Sequence, residues 1–322
     1  MIAWRSAADE PVPWLSAPIP HRIRSVSEMP ANRLPIIGYP LVQTPHEVVI
    51  RAALDAAGAG LEIEVWERRP HELAEALKEI RARDDFAGAL ITSPHKEKAP
   101  PLSDALSDDA RISGAVNVFV RTDGRLRGHN TDADGIRAGL EAILPKVKGK
   151  WPRNAIVLGA GGGARAVVAV LIGANFQHIA VLNRHLHKAE ALVTHFARSA
   201  RHMELRARPW HDAIIEAELA RAELLVNASG IGLQAGESPI ATDLVPADRF
   251  VLDLVLAPGA TPLMDAATAQ GGTAANGQAA FVASTGMTVR LLTGTQPPVD
   301  AIRTALTGEI GSSEASASAV GD

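Results

Sequence analysis

Lys96 and Asp132 are the two residues whose types and positions most directly suggest chemistry. Lys96 ends the segment 92–96 (TSPHK), and Asp132 ends the segment 130–132 (NTD). A lysine beside a carboxylate can move a proton to or from a hydroxyl group. A lysine with the ordinary pKa of about 10.4 is a poor base at neutral pH, so burial or a cationic ring nearby must favour its neutral form. Taken singly, such a lysine is usually solvated, and Asn-Thr-Asp before a helix is usually an N-cap.

A glycine-rich turn follows this pair along the chain. Residues 159–164 read GAGGGA, come directly after a short apolar run and open an apolar helical pattern. In the G-x-G-x-x-A fingerprint, the first glycine permits the tight turn, the second lets the backbone approach a pyrophosphate, and the last small residue keeps helix and sheet close. We therefore expect Gly159, Gly161, Gly162 and Ala164 to bind a nucleotide at a helix N-terminus. A flexible turn without a ligand is the alternative.

The residues after the next predicted strand bear on which nucleotide binds. Asn183 and Arg184 stand where an NAD site usually has Asp or Glu to hold the ribose hydroxyls, and Lys188 follows closely. A guanidinium group can stack on adenine and pair with a 2′-phosphate. The sequence therefore favours NADP over NAD, unless Arg184 is an ordinary surface arginine.

Strand and helix patterns alternate on both sides of these residues. Such alternation predicts an α/β protein with parallel sheets covered on both faces. A hairpin arm is predicted at 116–121, before Asp123-Gly124. The predicted strands are 34–37, 61–66, 88–91, 155–158, 178–182, 224–227 and 251–254, and the predicted helices are 45–57, 70–81, 131–144, 164–172, 186–198 and 281–292.

These patterns divide the chain into two domains. Both ends of the chain lack a clear period, because one is rich in proline and the other in serine and alanine. The expected units are an N-terminal extension (1–32), a substrate and catalytic domain (33–135 plus 281–307), a nucleotide-binding domain (136–280) and a flexible tail (308–322).

Composition narrows the class of function. Of the 322 residues 47% are hydrophobic, which indicates a globular chain, and the net charge of −4 leaves no broad basic field for nucleic acid. Cysteine is absent, which excludes a disulfide, a thiol nucleophile and a thiolate metal site. Apolar runs are interrupted by charges, prolines or glycines, so we expect neither a secretion signal nor a membrane span. A cytoplasmic monomer or homodimer is the expectation.

Two other kinds of site find no support in the sequence. His185, His187 and His195 have no acidic company at ligand spacing, so we expect no metal. The serines lack a G-x-S-x-G elbow, so nucleophilic hydrolysis has no support. His95, beside Lys96, is expected to be a surface residue, and a place on the lining of a cleft is the alternative.

Several motifs occur in a characteristic order: 91–97 (ITSPHKE), 114–117 (GAVN), 128–132 (GHNTD), 159–164 (GAGGGA), 183–184 (NR), 227–229 (NAS), 253–255 (DLV), 261–263 (TPL) and 276–277 (NG). Together they resemble the shikimate dehydrogenase family over about residues 34–295. The resemblance implies an α/β enzyme with a substrate domain and a Rossmann-type NADP domain on either side of a cleft. Its activity would interconvert a ring hydroxyl and the matching ketone of a cyclic hydroxy acid such as shikimate or quinate.

The resemblance also implies roles for individual residues. Lys96 and Asp132 would handle the proton, while Thr92 and Asn117 would bind ring hydroxyls. The residues implied to bind the cofactor are Gly159, Gly161, Gly162, Ala164, Asn183, Arg184, Lys188, Asn227, Ser229 and Gly277.

The departures from the family pattern fall on the substrate side. Two serines that bind the substrate carboxylate in the family are absent from the segment 38–45 (GYPLVQTP), where Gln43 offers an amide and Thr44 a hydroxyl. Leucine also replaces two polar residues of the family, and Ser284 stands in place of a glutamine.

These losses favour a changed substrate over a changed reaction. Leu90 stands in place of asparagine and Leu256 in place of tyrosine. Each missing hydrogen bond costs on the order of 1 kcal/mol, so four changes weaken binding of the usual substrate considerably. A ligand-binding or regulatory protein on the same scaffold is the alternative hypothesis.

Overall fold

The computed structural model describes residues 32–41, 45–145, 151–234 and 236–318, and only the backbone of 311–318. Most of the predicted N-terminal extension therefore lies outside the described residues, as do Gln43 and Thr44. The strands are β1 (Arg33–Gly38), β2 (Glu62–Glu67), β3 (Gly88–Ile91), β4 (Ala105–Leu106), β5 (Val118–Thr122), β6 (Arg125–His129), β7 (Asn154–Leu158), β8 (His178–Asn183), β9 (Glu204–Pro209), β10 (Leu224–Asn227), β11 (Phe250–Asp253) and β12 (Thr273–Asn276).

The helices alternate with these strands along most of the chain. They are α1 (His46–Ala56), α2 (Leu73–Ala82), α3 (Asp108–Ser113), α4 (Asp132–Ile143), α5 (Gly162–Gly173), α6 (Leu186–Phe196), α7 (Asp212–Arg221), α8 (Pro262–Ala269), α9 (Gln278–Thr293) and α10 (Val299–Ser318). Within the described ranges, none of them combines the length and apolar character that crossing a membrane requires.

The first sheet is mixed and has the strand order β2-β1-β3-β5-β6-β4. Strands β1, β2 and β3 are parallel, whereas β5 runs antiparallel to both β3 and β6. The turn between β5 and β6 has positive φ at Asp123 (49°) and Gly124 (72°), as a type I′ hairpin requires. The predicted hairpin is therefore confirmed, and it is the reason that this sheet is not wholly parallel as predicted.

The second sheet is wholly parallel and has the order β12-β11-β10-β7-β8-β9. Its central strand β7 is apolar along almost its whole length because helices cover both faces. The order of connection reverses between β7 and β10, and ligands of doubly wound sheets bind beyond the carboxyl ends of the strands at such a point. The predicted α/β architecture is confirmed.

Four apolar clusters show how the helices cover the two sheets. Helices α1, α9 and α10 cover one face of the first sheet, and α2 and α3 cover the other. Helices α4, α5 and α6 cover one face of the second sheet, and α7 and α8 cover the other. Because α4 leads into the second sheet and α9 leads back from it, the contact between these two helices joins the halves.

The C-terminal segment differs from its prediction. Residues from 308 onward are expected to form a flexible tail, but α10 continues to Ser318. The reason is an apolar stripe at helical spacing: Ile302, Leu306 and Ile310 are all buried against the first sheet's helices. Only 319–322 of the predicted tail lie outside the described residues.

Candidate active site

A cleft of about 250 Å³ lies between the two halves of the molecule. Its walls come from β1, β3, β5, α1, α4, α9, the first turn of α5 and the loop after β11, so both halves contribute to it. The polar residues that line it are His46, Thr92, Lys96, Asn117, Asp132, Ser284, Thr285 and Thr288. Apolar residues, among them Leu90, Leu256 and Phe281, form the rest of the wall.

The cleft brings together the two residues from which the sequence argument began. Lys96 lies in the loop after β3, and Asp132 is the first residue of α4. Lys96 Nζ donates a hydrogen bond of 2.6 Å to Asp132 Oδ2, and each side chain is only 18% exposed. Such a partly desolvated pair on a cleft wall has the geometry needed to exchange a proton with a bound alcohol.

Asn117 holds the carboxylate of this pair from the other side. Its amide nitrogen donates to Asp132 Oδ1 (3.0 Å) and to Thr131 Oγ1 (2.9 Å). Its amide oxygen accepts a hydrogen bond from the backbone N–H of Thr131 (2.9 Å). Both oxygens of Asp132 are therefore bonded, and both N–H donors of Asn117 are in use.

Hydroxyl groups from α9 extend the network across the cleft. Thr131 Oγ1 lies 3.0 Å from Ser284 Oγ and 2.9 Å from Thr288 Oγ1, each within hydrogen-bonding distance. Thr131 and Thr288 are buried. These contacts tie the start of α4 to α9 and so fix the position of Asp132. Ser284, a predicted substrate-binding residue, thus lines the cleft beside the reacting pair. No role was predicted for Thr131 or Thr288.

The glycine turn lies directly beside Lys96. Gly159 directly follows β7 and has φ of 112°, and a Cβ there would come within 2.5 Å of the Ala228 carbonyl oxygen. A Cβ on Gly162 would come within 2.8 Å of Lys96 Cβ. The structure therefore adds a second reason for Gly162 to be glycine: the first domain packs against the turn at that point.

The same turn has the features that a nucleotide phosphate requires. Gly161 is the N-cap of α5 and provides no side-chain cap, so the first amides of the helix remain available to an anion. Ala164 is buried against the sheet, while Gly163 lines the cleft. The turn also lies at the point where the strand order reverses, so these residues fit a dinucleotide.

The residues predicted to select the nucleotide lie at the end of β8. Arg184 and Lys188 are exposed, so both charges are accessible to a phosphate group. Asn183 donates from its amide to the carbonyl oxygen of His185 (2.9 Å) and thereby shapes the loop that carries Arg184. Two cations and no carboxylate at this place fit a 2′-phosphate better than a bare ribose.

Three further predicted cofactor residues lie at the carboxyl edge of the second sheet. Asn227 donates to Ile231 O and to Asp253 Oδ1 (both 2.8 Å), and Ser229 Oγ donates to Asn227 Oδ1 (2.7 Å). Their side chains therefore organise the loop after β10. Gly277 lines the cleft just before α9.

His46 is a cleft residue that the sequence argument did not single out. It begins α1 directly after Pro45, and its ring meets the Phe281 ring edge-on at 4.8 Å between centroids. Burial lowers the pKa of His46 to about 4; the Lys96 charge adds to this effect and the Asp132 charge opposes it. The one feature of the sequence that indicates a role for His46 is its position directly after the segment 38–45, which lacks the family serines.

His95 is not the surface residue that the sequence predicts. It is fully buried, and its Nε2 lies 2.8 Å from the carbonyl oxygen of Arg68. Burial lowers the pKa of His95. Its position next to Lys96 is therefore structural: it anchors the loop that carries the lysine.

No group of three histidine or acidic residues with a geometry suited to a metal ion occurs in the part of the chain that the structure describes.

Two family models match the chain in the order that the fold leads one to expect. Residues 36–119 match the shikimate dehydrogenase substrate binding domain, and residues 142–230 match shikimate / quinate 5-dehydrogenase. The first range contains Lys96, and the second contains the glycine turn.

Relatives match over most of their own length. The shikimate dehydrogenase (NADP(+)) of Symbiobacterium thermophilum is 35% identical over 285 residues, which are 88% of this chain and 96% of the relative. Shikimate 5-dehydrogenase of Thermus thermophilus, solved with NADP(H) and shikimate, is 31% identical with a TM-score of 0.71 and covers 86% of this chain and 99% of its own. Quinate dehydrogenase of Corynebacterium glutamicum, solved with NAD, is 27% identical with a TM-score of 0.72, at 86% and 99% coverage. The chain belongs to the shikimate dehydrogenase family.

Proposed function

We propose that the protein is an NADP-dependent oxidoreductase that interconverts a secondary ring alcohol and its ketone on a hydroxy acid of the shikimate or quinate type. The observation that carries this proposal is the 2.6 Å Lys96–Asp132 pair packed against Gly162 of the dinucleotide turn. A proton-handling pair and a hydride-carrying cofactor are the two elements that alcohol oxidation needs. The named activities of the relatives support it.

The proton step follows from the position of Lys96. When a ketone is reduced, the Lys96 ammonium group gives a proton to the oxygen on which negative charge develops; in the reverse direction, the neutral amine accepts the hydroxyl proton. Asp132 holds Nζ in place through its hydrogen bond. When bound, the nicotinamide supplies the hydride acceptor or donor.

Substrate and cofactor then take opposite walls of the cleft. Thr92, Asn117 and Ser284 surround the pair on the substrate wall, and we assign to them the contacts with substrate hydroxyls. On sequence grounds alone, Gln43 and Thr44 join this wall. The residues assigned to the cofactor are Gly159, Gly161, Gly162, Ala164, Asn183, Arg184, Lys188, Asn227, Ser229 and Gly277.

The assignment divides the work between two parts of the chain. Residues 33–135 with 281–307 form the substrate domain in this proposal, and residues 136–280 bind NADP. The cytoplasmic location and the monomeric or homodimeric state of the enzyme stay predictions.

A regulatory ligand-binding protein on this fold is the second candidate, and the Lys96–Asp132 pair argues against it. A sensor has no use for two charges held 2.6 Å apart and partly removed from water, because burying charges costs free energy.

The experiment is a matrix of two cofactors and two substrates. Purified protein is mixed with NADP⁺ or NAD⁺ and with shikimate or quinate, and reduced cofactor is followed by the near-ultraviolet absorbance of the reduced nicotinamide. We expect turnover with at least one acid and a higher kcat/KM with NADP⁺. No turnover with either acid, together with a rise in Tm on adding one of them, favours the sensor instead.

A further inference from the structure

His46 lines the cleft and carries a buried ring nitrogen that has no hydrogen-bond partner among the described residues. Of the buried side-chain nitrogen and oxygen atoms that lack a hydrogen-bond partner among the described residues, His46 Nδ1 is the one whose residue lines the cleft. Buried polar atoms in folded proteins nearly always have a partner, so an exception on a cleft wall indicates a group that arrives with the ligand.

The polar groups around the reacting pair, by contrast, already have partners within the protein. Lys96 and Asp132 bond each other, and both donors of Asn117 are taken by Asp132 and Thr131. The hydroxyl of Thr131 is in turn bonded by Ser284 and Thr288 from α9. These groups hold the reacting pair, whereas His46 Nδ1 has no partner among the described residues and makes no hydrogen bond to that pair.

The surroundings of His46 fix what it can bind. Its ring is held edge-on by Phe281, and Ile50 and Leu256 also line the cleft, so the imidazole is presented from an apolar wall. With a pKa of about 4 the imidazole is neutral at neutral pH, and one ring nitrogen then donates while the other accepts. An oxygen atom of a hydroxyl or carboxylate group is the partner that fits.

We propose that His46 Nδ1 hydrogen-bonds a substrate oxygen other than that of the reacting alcohol, and so determines which cyclic hydroxy acid the enzyme accepts. This inference rests on the proposed function, since it names a specificity residue of the same cleft. His46 is thus a binding residue and takes no part in the proton step of Lys96.

The test compares three substitutions of His46 with a matched control. His46→Leu removes the hydrogen bond and keeps an apolar side chain of similar size. His46→Asn places an amide near the position of Nδ1, whereas His46→Gln places one near Nε2. His71→Leu makes the same change at an exposed histidine of the same half of the protein.

Steady-state kinetics with shikimate, quinate and methyl shikimate give the readout. We expect His46→Leu to raise KM about 3- to 10-fold if the oxygen belongs to a hydroxyl, and more than about tenfold if it belongs to a carboxylate. In the carboxylate case, the effect is larger for shikimate than for its methyl ester; in the hydroxyl case it is equal. We expect kcat to change little and His46→Asn to recover more affinity than His46→Gln. Unchanged KM in His46→Leu with all three compounds overturns the proposal.

Direct binding separates this proposal from the proposed function. If wild-type protein turns over none of the compounds, the proposed function fails, but the rise in Tm that they cause still tests His46. That rise is expected to be smaller in His46→Leu than in His71→Leu. An equal rise in both variants, or no rise even in the wild type, overturns the assignment of His46. His46→Asn keeps the test valid if His46→Leu does not fold.

Discussion

Two parts of the cleft wall differ in how completely their polar groups are paired. Around the reacting pair, Lys96, Asp132 and Asn117 bond one another, and α9 supplies further hydroxyls. On the wall beside Phe281, His46 Nδ1 has no partner among the described residues, and Leu256 also lines the cleft. The first arrangement is preorganised before any substrate binds, whereas the second is completed by the substrate. The reaction and the choice of substrate are therefore separable in this molecule, and substitutions in the two parts should affect different kinetic constants.

The largest effect among the tests of this comparison is expected for Asp132→Asn. The neutral amide removes the charge that holds Lys96, so kcat should fall about 10²- to 10⁴-fold while the Kd for NADP⁺ changes little. Initial rates of NADPH formation give kcat, and isothermal titration calorimetry with NADP⁺ gives the Kd. Asp55→Asn, at an exposed position of α1, is the control and should behave as wild type. A rise in the KM for the substrate with kcat retained would instead place Asp132 among the substrate-binding residues.

Arg184→Ala should give the next largest effect, and on the cofactor alone. Loss of charge-assisted bonds to a 2′-phosphate should raise the KM for NADP⁺ about 10- to 100-fold and leave the KM for NAD⁺ nearly unchanged. Arg184 lies just before α6. Arg198→Ala removes an exposed arginine just beyond the end of that helix and serves as the control. Equal losses with both cofactors would mean that Arg184 does not contact the phosphate.

Thr288→Val tests whether the hydroxyl network positions Asp132. Valine keeps the shape and removes one hydrogen bond to Thr131, so kcat should fall about 3- to 10-fold with KM nearly constant. Thr304→Val, exposed on α10, is the matched control. The reaction and the choice of substrate would not be separable if Thr288→Val changed the relative kcat/KM for shikimate and quinate as much as it changed kcat.

The pH dependence of stability should reveal the neutral His46. Its pKa in the folded protein, about 4, lies below the ordinary value of 6.5. The unfolded chain therefore binds a proton first as the pH falls, so this contribution to stability is present above pH 6.5 and is lost between pH 6.5 and pH 4. From pH 7 to pH 5, we expect the free energy of unfolding to fall by about 1–2 kcal/mol more in wild type than in His46→Asn, in urea titrations. Parallel losses in the two proteins would show that His46 is not held neutral.

Local patterns were sufficient for the parts of this structure that depend on neighbours in the chain. The apolar run of β7 followed by GAGGGA predicts the strand, turn and helix, and Asp123-Gly124 predicts the hairpin. Helix α10 was missed because its stripe of Ile302, Leu306 and Ile310 runs into a glycine- and serine-rich segment whose composition resembles a linker. Burial against α1 and α9 outweighs that composition.

Long-range contacts explain what the sequence left open at the site. The hydroxyl of Thr288 contacts that of Thr131 across a separation of 157 positions in the chain, and no sequence pattern predicts such a contact. The sequence around His46 does not by itself predict a binding role, because its contact with Phe281 and its place on the cleft wall depend on the fold. The reacting residues were recognisable from the order of the motifs, whereas the groups that hold them, and the cleft nitrogen without a partner among the described residues, depend on how the halves pack.

The central claim is that Lys96 handles the proton and that a hydrogen-bond network holds it in place before the substrate binds. The most direct measurement compares kcat and the Kd for NADP⁺ in Lys96→Ala and in Lys98→Ala, an exposed lysine two positions along the same loop. The account predicts that Lys96→Ala loses about 10²- to 10⁴-fold in kcat with NADP⁺ binding nearly intact, while Lys98→Ala resembles wild type. Wild-type turnover in Lys96→Ala would contradict it.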